Sequence, residues 1–184
     1  MPVADKNNRG GHHKDHAHHE HELAAEKIPF LKIDICIISD SRTEATDETG
    51  KFLKAAISDS EVFRVGTYNL INNNPDNIKK VVDSFLSGGS HVLITSGGTG
   101  ISSRDVTIDT LEAMFVKKLA GFGEIFRLLS YEQIGVRAMM SRASAGIIGD
   151  RVVVSLPGSK NAVTMAYEKI LVPQLRHLVY EATR

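Results

Sequence analysis

The 184-residue chain contains a single cysteine, Cys36, which excludes an intrachain disulfide and gives no sign of an oxidising compartment. It has no excess of either charge, because 22 Lys and Arg balance 22 Asp and Glu. That balance argues against nucleic acid or a membrane surface as a partner held by bulk charge. No apolar stretch approaches the ~20 residues needed to span a bilayer. The first residues also lack the apolar core of a signal peptide. The expectation is a soluble, cytoplasmic protein. A chain this long buries ~70% of its unfolded surface, so its core needs neither a disulfide nor a metal. Cys36 lies in the run Ile35-Cys36-Ile37-Ile38 and reads as a small buried hydrophobe.

Two segments of different character follow from composition. Residues 1–27 hold six of the eight histidines and show no apolar periodicity. They read as a flexible extension that buries too little apolar surface to offset the entropy of ordering. His12, His16 and His19 could offer imidazoles to zinc, nickel or copper; the other reading is a solvated polar tail. Residues 28–184 read as one domain.

Within that domain, strand and helix patterns alternate. Leu31–Ser39 is a nearly continuous apolar run, as in a buried strand. Thr46–Ser58 places Thr49, Phe52, Leu53, Ala56 and Ile57 on one helical face. Val62–Ile71 is β-branched and aromatic, a second strand. Asn74 as N-cap, Pro75 at the first helical position and Asp76 in the first turn open the next helix. Ile78, Val81, Val82, Phe85 and Leu86 form its apolar face, and Gly88-Gly89 ends it. His91–Thr95 is a third strand, and Leu111, Met114, Phe115 and Leu119 mark a helix. Arg151–Ser155 is a fourth strand, followed by helices over about 160–170 and 173–183. This order predicts an α/β domain around a mainly parallel sheet.

In such a sheet, ligands bind beyond the carboxyl ends of the strands. The loops that fall there are Ser39–Arg42, Asn72–Asn74, Thr95–Asp105 and Leu156–Lys160. The third contains Ser96-Gly97-Gly98-Thr99-Gly100. Its glycines let backbone N–H groups approach an anion, and the Ser96 and Thr99 hydroxyls add donors. No Gly-Lys-Ser/Thr follows, so it is not a P-loop, and GxGxxG is absent. The other reading is a tight strand-to-helix turn. With Thr107 as the helix cap and Asp109 in the first turn, Asp105 lies outside the helix beside this loop. A carboxylate next to a phosphate calls for magnesium between them. Arg104 could neutralise phosphate or lie solvated at the surface.

SGGTGISSRDVT, followed by AGFGEIFRLLSYEQIG, AMMSRASAG and VVVSLPGSKNAV, resembles the MoaB/MogA family of molybdopterin adenylyltransferases. SDSRTEATDETG after the first strand resembles the MoaB branch. The resemblance runs from about residue 31 to 178. It implies a three-layer α/β/α sandwich, molybdopterin and ATP as substrates, Mg2+, and adenylylation of molybdopterin with release of pyrophosphate. It also implies a homotrimer or hexamer, with a molybdenum-insertion protein as a further partner. The apolar helices expected over 113–119 and 170–179 could face a neighbouring copy. Carried residue by residue, Asp105 becomes the magnesium-orienting catalytic carboxylate, and Gly97, Gly98, Thr99 and Gly100 hold phosphate. Ser39 and Asp40 line the pocket, which Glu124, Ser141, Arg142, Pro157, Gly158 and Lys160 close. Glu124 and Lys160 could equally be solvated. The family commonly has a second aspartate five residues before the first apolar residue of the second helix. Counting back from Ile78 gives Asn73, which is uncharged, so a molybdopterin-binding protein without turnover is the alternative.

Overall fold

The computed structural model describes residue 25 and residues 28–184. The His-rich segment with His12, His16 and His19 lies outside the described residues. In chain order the elements are β1 (Leu31–Ile38), α1 (Glu48–Ser58), β2 (Phe63–Ile71), α2 (Pro75–Ser87), β3 (Val92–Ser96), α3 (Thr107–Glu112), β4 (Lys117–Lys118), α4 (Ala120–Ile134), a 3-10 segment (Gly135–Met140), β5 (Ser144–Ile148), β6 (Arg151–Leu156), α5 (Lys160–Ala166), a π-turn (Tyr167–Leu171) and α6 (Val172–Thr183). The strands form one six-stranded sheet of order β2-β1-β3-β6-β5-β4. β2, β1, β3 and β6 run parallel, whereas β5 is antiparallel to β6 and to β4.

The alternation of side chains along each strand builds two cores. Leu31, Ile33, Ile35 and Ile37 of β1, with Val92 and Ile94 of β3, pack towards Leu53 and Ile57 of α1, Phe122 and Phe126 of α4, and Leu175 of α6. Cys36 and Ile38 point to the other face, against Ile78, Val82 and Phe85 of α2 and Leu111 of α3. The result is the expected three-layer α/β/α sandwich. α2 starts as its sequence predicts: the Asn74 carbonyl oxygen Oδ1 accepts from the N–H of Asp76 (2.8 Å), and Pro75 takes the first turn.

Burial pushes the Cys36 thiol up to about 12 from an ordinary value of 9.0. The native protein is therefore expected not to react with an aromatic disulfide reagent at pH 8, and to titrate one thiol in denaturant. The unfolded thiol ionises first, so Cys36 contributes stability below pH 9 that is lost as the pH rises from 9 towards 12. A native thiol that reacts at pH 8 would contradict this burial.

The sheet's far edge departs from the pattern reading. Periodicity gives four strands and a helix through Leu119, but α3 ends at Glu112. Segment 113–119 is therefore not the interface helix expected there. Phe115 instead packs where a Cβ on Gly146 would stand, 2.4 Å from its ring, and Lys117–Lys118 pair with Gly146–Ile147 of β5. β5 has the sequence Ser-Ala-Gly-Ile-Ile, small at three of five positions, and so gives little strand signal. α4 escapes periodicity for the opposite reason. Ile125 and Leu128 are exposed while Phe122 and Phe126 are buried, so no clean apolar face appears.

Candidate active site

β1 passes through α1 to β2 on one side of it, and β2 returns through α2 to β3 on the other. The loops after β1 and β3 therefore diverge at this switch point and leave a crevice at the strands' carboxyl ends. The crevice is a cleft of about 450 Å3, and the glycine loop forms its floor.

The backbone of that loop is set by contacts too close for a side chain. Gly97 has φ +109°, and a Cβ there would lie 2.1 Å from the Ile38 carbonyl oxygen. Its N–H donates to the Leu156 carbonyl at 3.0 Å, which ties the loop to β6. Gly98, at φ +61°, accepts from the Thr107 N–H through its carbonyl at 3.0 Å. The N–H groups of Gly98, Thr99 and Gly100 have no backbone acceptor among the described residues. They are the donors a phosphate oxygen could use.

Asp105 lines the same cleft. Its N–H donates to the Ser102 carbonyl (2.9 Å), and its Oδ2 accepts from the Ser102 N–H (3.2 Å), closing a small turn. The carboxyl faces Gly100, where a Cβ would lie 2.7 Å from Oδ2. Thr107 is not the cap of α3. Val106 holds the cap position without a side-chain bond. The bond from the Thr107 N–H to Gly98 draws Thr107 into the first helical position, and its hydroxyl is buried without a partner.

Two arginines flank the glycine loop. Arg142 donates from Nη1 to the Gly100 carbonyl (3.3 Å) and from Nη2 to Asp109 Oδ1 (2.7 Å). Arg42, not among the site residues expected from sequence, also lines the cleft. It donates to the Gly158 carbonyl (2.7 Å) and to Thr49 Oγ1 (3.3 Å), and lies 3.7 Å from Asp47 Oδ1. Asp47 is the buried cap of α1 and also accepts from the Tyr68 hydroxyl (2.7 Å). Burial and the Asp47 carboxylate raise the Tyr68 phenol above its usual range, so it stays a donor. The sequence signal for Arg42 was its position in the first loop. Its inward aim depends on Asp47 and Gly158, which only the fold brings together.

The remaining expected residues fall in distinct places. Ser39, Thr99, Ser141, Pro157 and Gly158 line the cleft. Ser96 does not: its buried hydroxyl donates to the Pro157 carbonyl at 2.9 Å. Asp40 is exposed, and its Oδ1 accepts from the Asn73 N–H at 2.9 Å. Arg104 is exposed, and its carbonyl accepts from Asn73 Nδ2. Lys160 is exposed at the start of α5 and lines no part of the cleft. Glu124 lines a neighbouring hollow of about 380 Å3 with Glu112, Lys118, Arg127 and Ser144, and Arg142 borders both spaces. Burial acts to raise the Glu112 carboxyl, but bonds from Lys118 and Ser144 outweigh it and hold it below its ordinary value.

The chain is matched over residues 34–177 by the family model described as a probable molybdopterin binding domain. Molybdenum cofactor biosynthesis protein B of Bacillus cereus is 40% identical over 167 residues, covering 90% of this chain and 97% of that protein. The protein of the same name from Staphylococcus carnosus is 40% identical over 156 residues, 84% of this chain and 92% of that one. A crystal structure of a molybdenum cofactor biosynthesis protein B has a TM-score of 0.80 at 39% identity, over 84% of this chain and 97% of that one. The tungsten cofactor synthesizing protein MoaB from Pyrococcus furiosus has a TM-score of 0.76 at 32% identity, over 84% and 98%. With the glycine loop, the cleft and the sandwich all in place, the chain belongs to the MoaB/MogA family of molybdenum cofactor biosynthesis proteins, on its MoaB side.

Proposed function

We propose that this protein acts in molybdenum cofactor biosynthesis by adenylylating molybdopterin with ATP. The observation that carries the reading is the placement of the Asp105 carboxylate beside three backbone N–H groups without backbone partners, in a cleft that two arginines also line. That arrangement suits a polyphosphate. The N–H groups of Gly98, Thr99 and Gly100 bind phosphate oxygens, and the Arg42 and Arg142 guanidiniums neutralise charge from two sides. A terminal phosphate oxygen of molybdopterin attacks the α-phosphorus of ATP. The bond to the bridging oxygen breaks, and pyrophosphate leaves with its electron pair. The nucleophile is already an anion, so no strong base is needed, and catalysis rests on positioning and charge neutralisation.

The donor set fits Mg2+ held jointly with substrate. Among the described residues no group of three or more His, Cys, Asp or Glu could hold a metal by itself. Magnesium ordinarily uses one or two carboxylates plus phosphate oxygens and water, and Asp105 is the carboxylate in place. When bound, the ion supplies neutralisation of the repulsion between the two phosphate groups. The alternative of a molybdopterin-binding protein without turnover is favoured by the uncharged Asn73. Pyrophosphate release from purified protein with molybdopterin and Mg-ATP separates the two; binding without release would overturn the enzymatic reading.

The family resemblance also supports a homotrimer or hexamer, and the exposed face of α4 gives it a surface. Leu128, Tyr131, Val136 and Met139 line one shallow apolar hollow, and Leu128 is 64% and Met139 82% exposed. Patches of this kind on soluble proteins mark association sites. Light scattering at micromolar protein should give a trimer or its multiple; a monomer would contradict this.

A further inference from the structure

We infer that Asn73 is a positioning residue whose side-chain amide straps the glycine loop in its anion-binding form, a role that needs a hydrogen-bond donor and not a charge. Asn73 stands at the end of β2 and touches the two other loops of the crevice. Its backbone N–H donates to Asp40 Oδ1 in the loop after β1, at 2.9 Å. Its side-chain Nδ2 donates to the Arg104 carbonyl in the loop after β3, at 2.5 Å. The remaining atom, Oδ1, is buried without a hydrogen-bond partner and lies against Gly98, where a Cβ would stand 2.5 Å from it. The unpaired Thr107 hydroxyl crowds the same side of Gly98, 2.3 Å from the same Cβ position.

The orientation of the amide follows from its neighbours. Turned over, it would set Oδ1 against the Arg104 carbonyl, two acceptors with no proton between them. The Arg104 carbonyl therefore selects a donor at this position. The peptide so held joins Arg104 to Asp105, so the strap fixes the backbone on which the cleft carboxylate is carried. An ionised aspartate has the same shape but no donor. It would repel the Arg104 carbonyl and release the loop. A protonated aspartate has an O–H and would fasten it again.

The charged groups on the segments meeting here are Asp40 and Arg42 in the first loop, Arg104 and Asp105 in the glycine loop, and Asp76 in the first turn of α2. Three of the five are carboxylates. Against the two arginines, these carboxylates and the Arg104 carbonyl, which can accept only from the protonated form, favour a neutral aspartate at position 73.

The test compares Asn73→Asp and Asn73→Ala with the parent protein at pH 8 and pH 5, with melting temperature recorded to show that each is folded. Amide exchange of the ligand-free protein reads the loop through the N–H groups of Asp105 and Thr107, which are bonded to Ser102 and Gly98. At pH 8 both variants should lose about tenfold in protection there, as expected for one lost hydrogen bond. At pH 5 the aspartate should recover and the alanine should not. Affinity for Mg-ATP, measured by calorimetry relative to the parent, should follow the same pattern. An Asn73→Asp protein with parental protection and equal or tighter Mg-ATP binding at pH 8 would overturn the inference. So would equal losses in both variants at both pH values. The inference rests on the nucleotide-binding reading only through the calorimetry. If the exchange pattern appears but the parent binds no Mg-ATP, the strap stands and the adenylylation reading falls.

Discussion

Changing Asp105→Asn is expected to lower adenylylation turnover at least ~100-fold, which is ~2.7 kcal/mol of transition-state stabilisation. The substitution keeps the shape of the side chain and removes its charge. Asn retains an oxygen that can accept from the Ser102 N–H, so the 102–105 turn should persist and the melting temperature should move little. Molybdopterin affinity should hold or improve, because an anion facing a phosphate has gone. Asp105→Ala makes the contrast. It loses the acceptor as well, so it should combine the loss of turnover with ~1 kcal/mol of destabilisation. Steady-state kinetics, molybdopterin titration and thermal melting on the two variants decide the point. If Asp105→Asn keeps parental turnover, the carboxylate is a loop fastener and the proposed mechanism fails at its central residue.

Gly97→Ala is expected to destabilise the domain by ~3 kcal/mol or more and to abolish phosphate binding. Two costs add. A non-glycine residue at φ +109° carries strain of ~1–3 kcal/mol. The new methyl group would also meet the Ile38 carbonyl oxygen at 2.1 Å, which is backbone of the buried β1 and cannot rotate away. For a chain of this size the loss corresponds to a fall in melting temperature of roughly 10 °C. Gly89→Ala is the control, since nothing lies within 4 Å of its Cβ position. It should melt within a degree or two of the parent. A Gly97→Ala protein that melts with the parent would mean that the glycine loop can shift freely. The close packing of β3 on β1 at the cleft floor would then be wrong.

These two predictions also divide the molecule by what its sequence makes legible. Local chemistry alone determined β1, β2 and the start of α2. A short run rich in Ile reads as a strand buried on both faces, and Asn74-Pro75-Asp76 satisfies a helix start within four residues. The glycine loop, Asp105 beside it and the α/β/α layering were legible for the same reason, together with motifs close enough to a known family to carry its fold. Only the tertiary structure decided β4 and β5. The small residues of β5 gain their strand conformation from pairing with β6 and from Phe115 packing over Gly146. It also turned Ser96 towards the Pro157 carbonyl, drew Thr107 out of the cap position, and held Arg42 into the cleft against Asp47 and Gly158. Each of these depends on a hydrogen bond or contact to a group on another segment, often many residues away. Periodicity and capping rules report bonds made within about one helical turn, and bonds of that range are all that a stretch of chain can specify before it has folded.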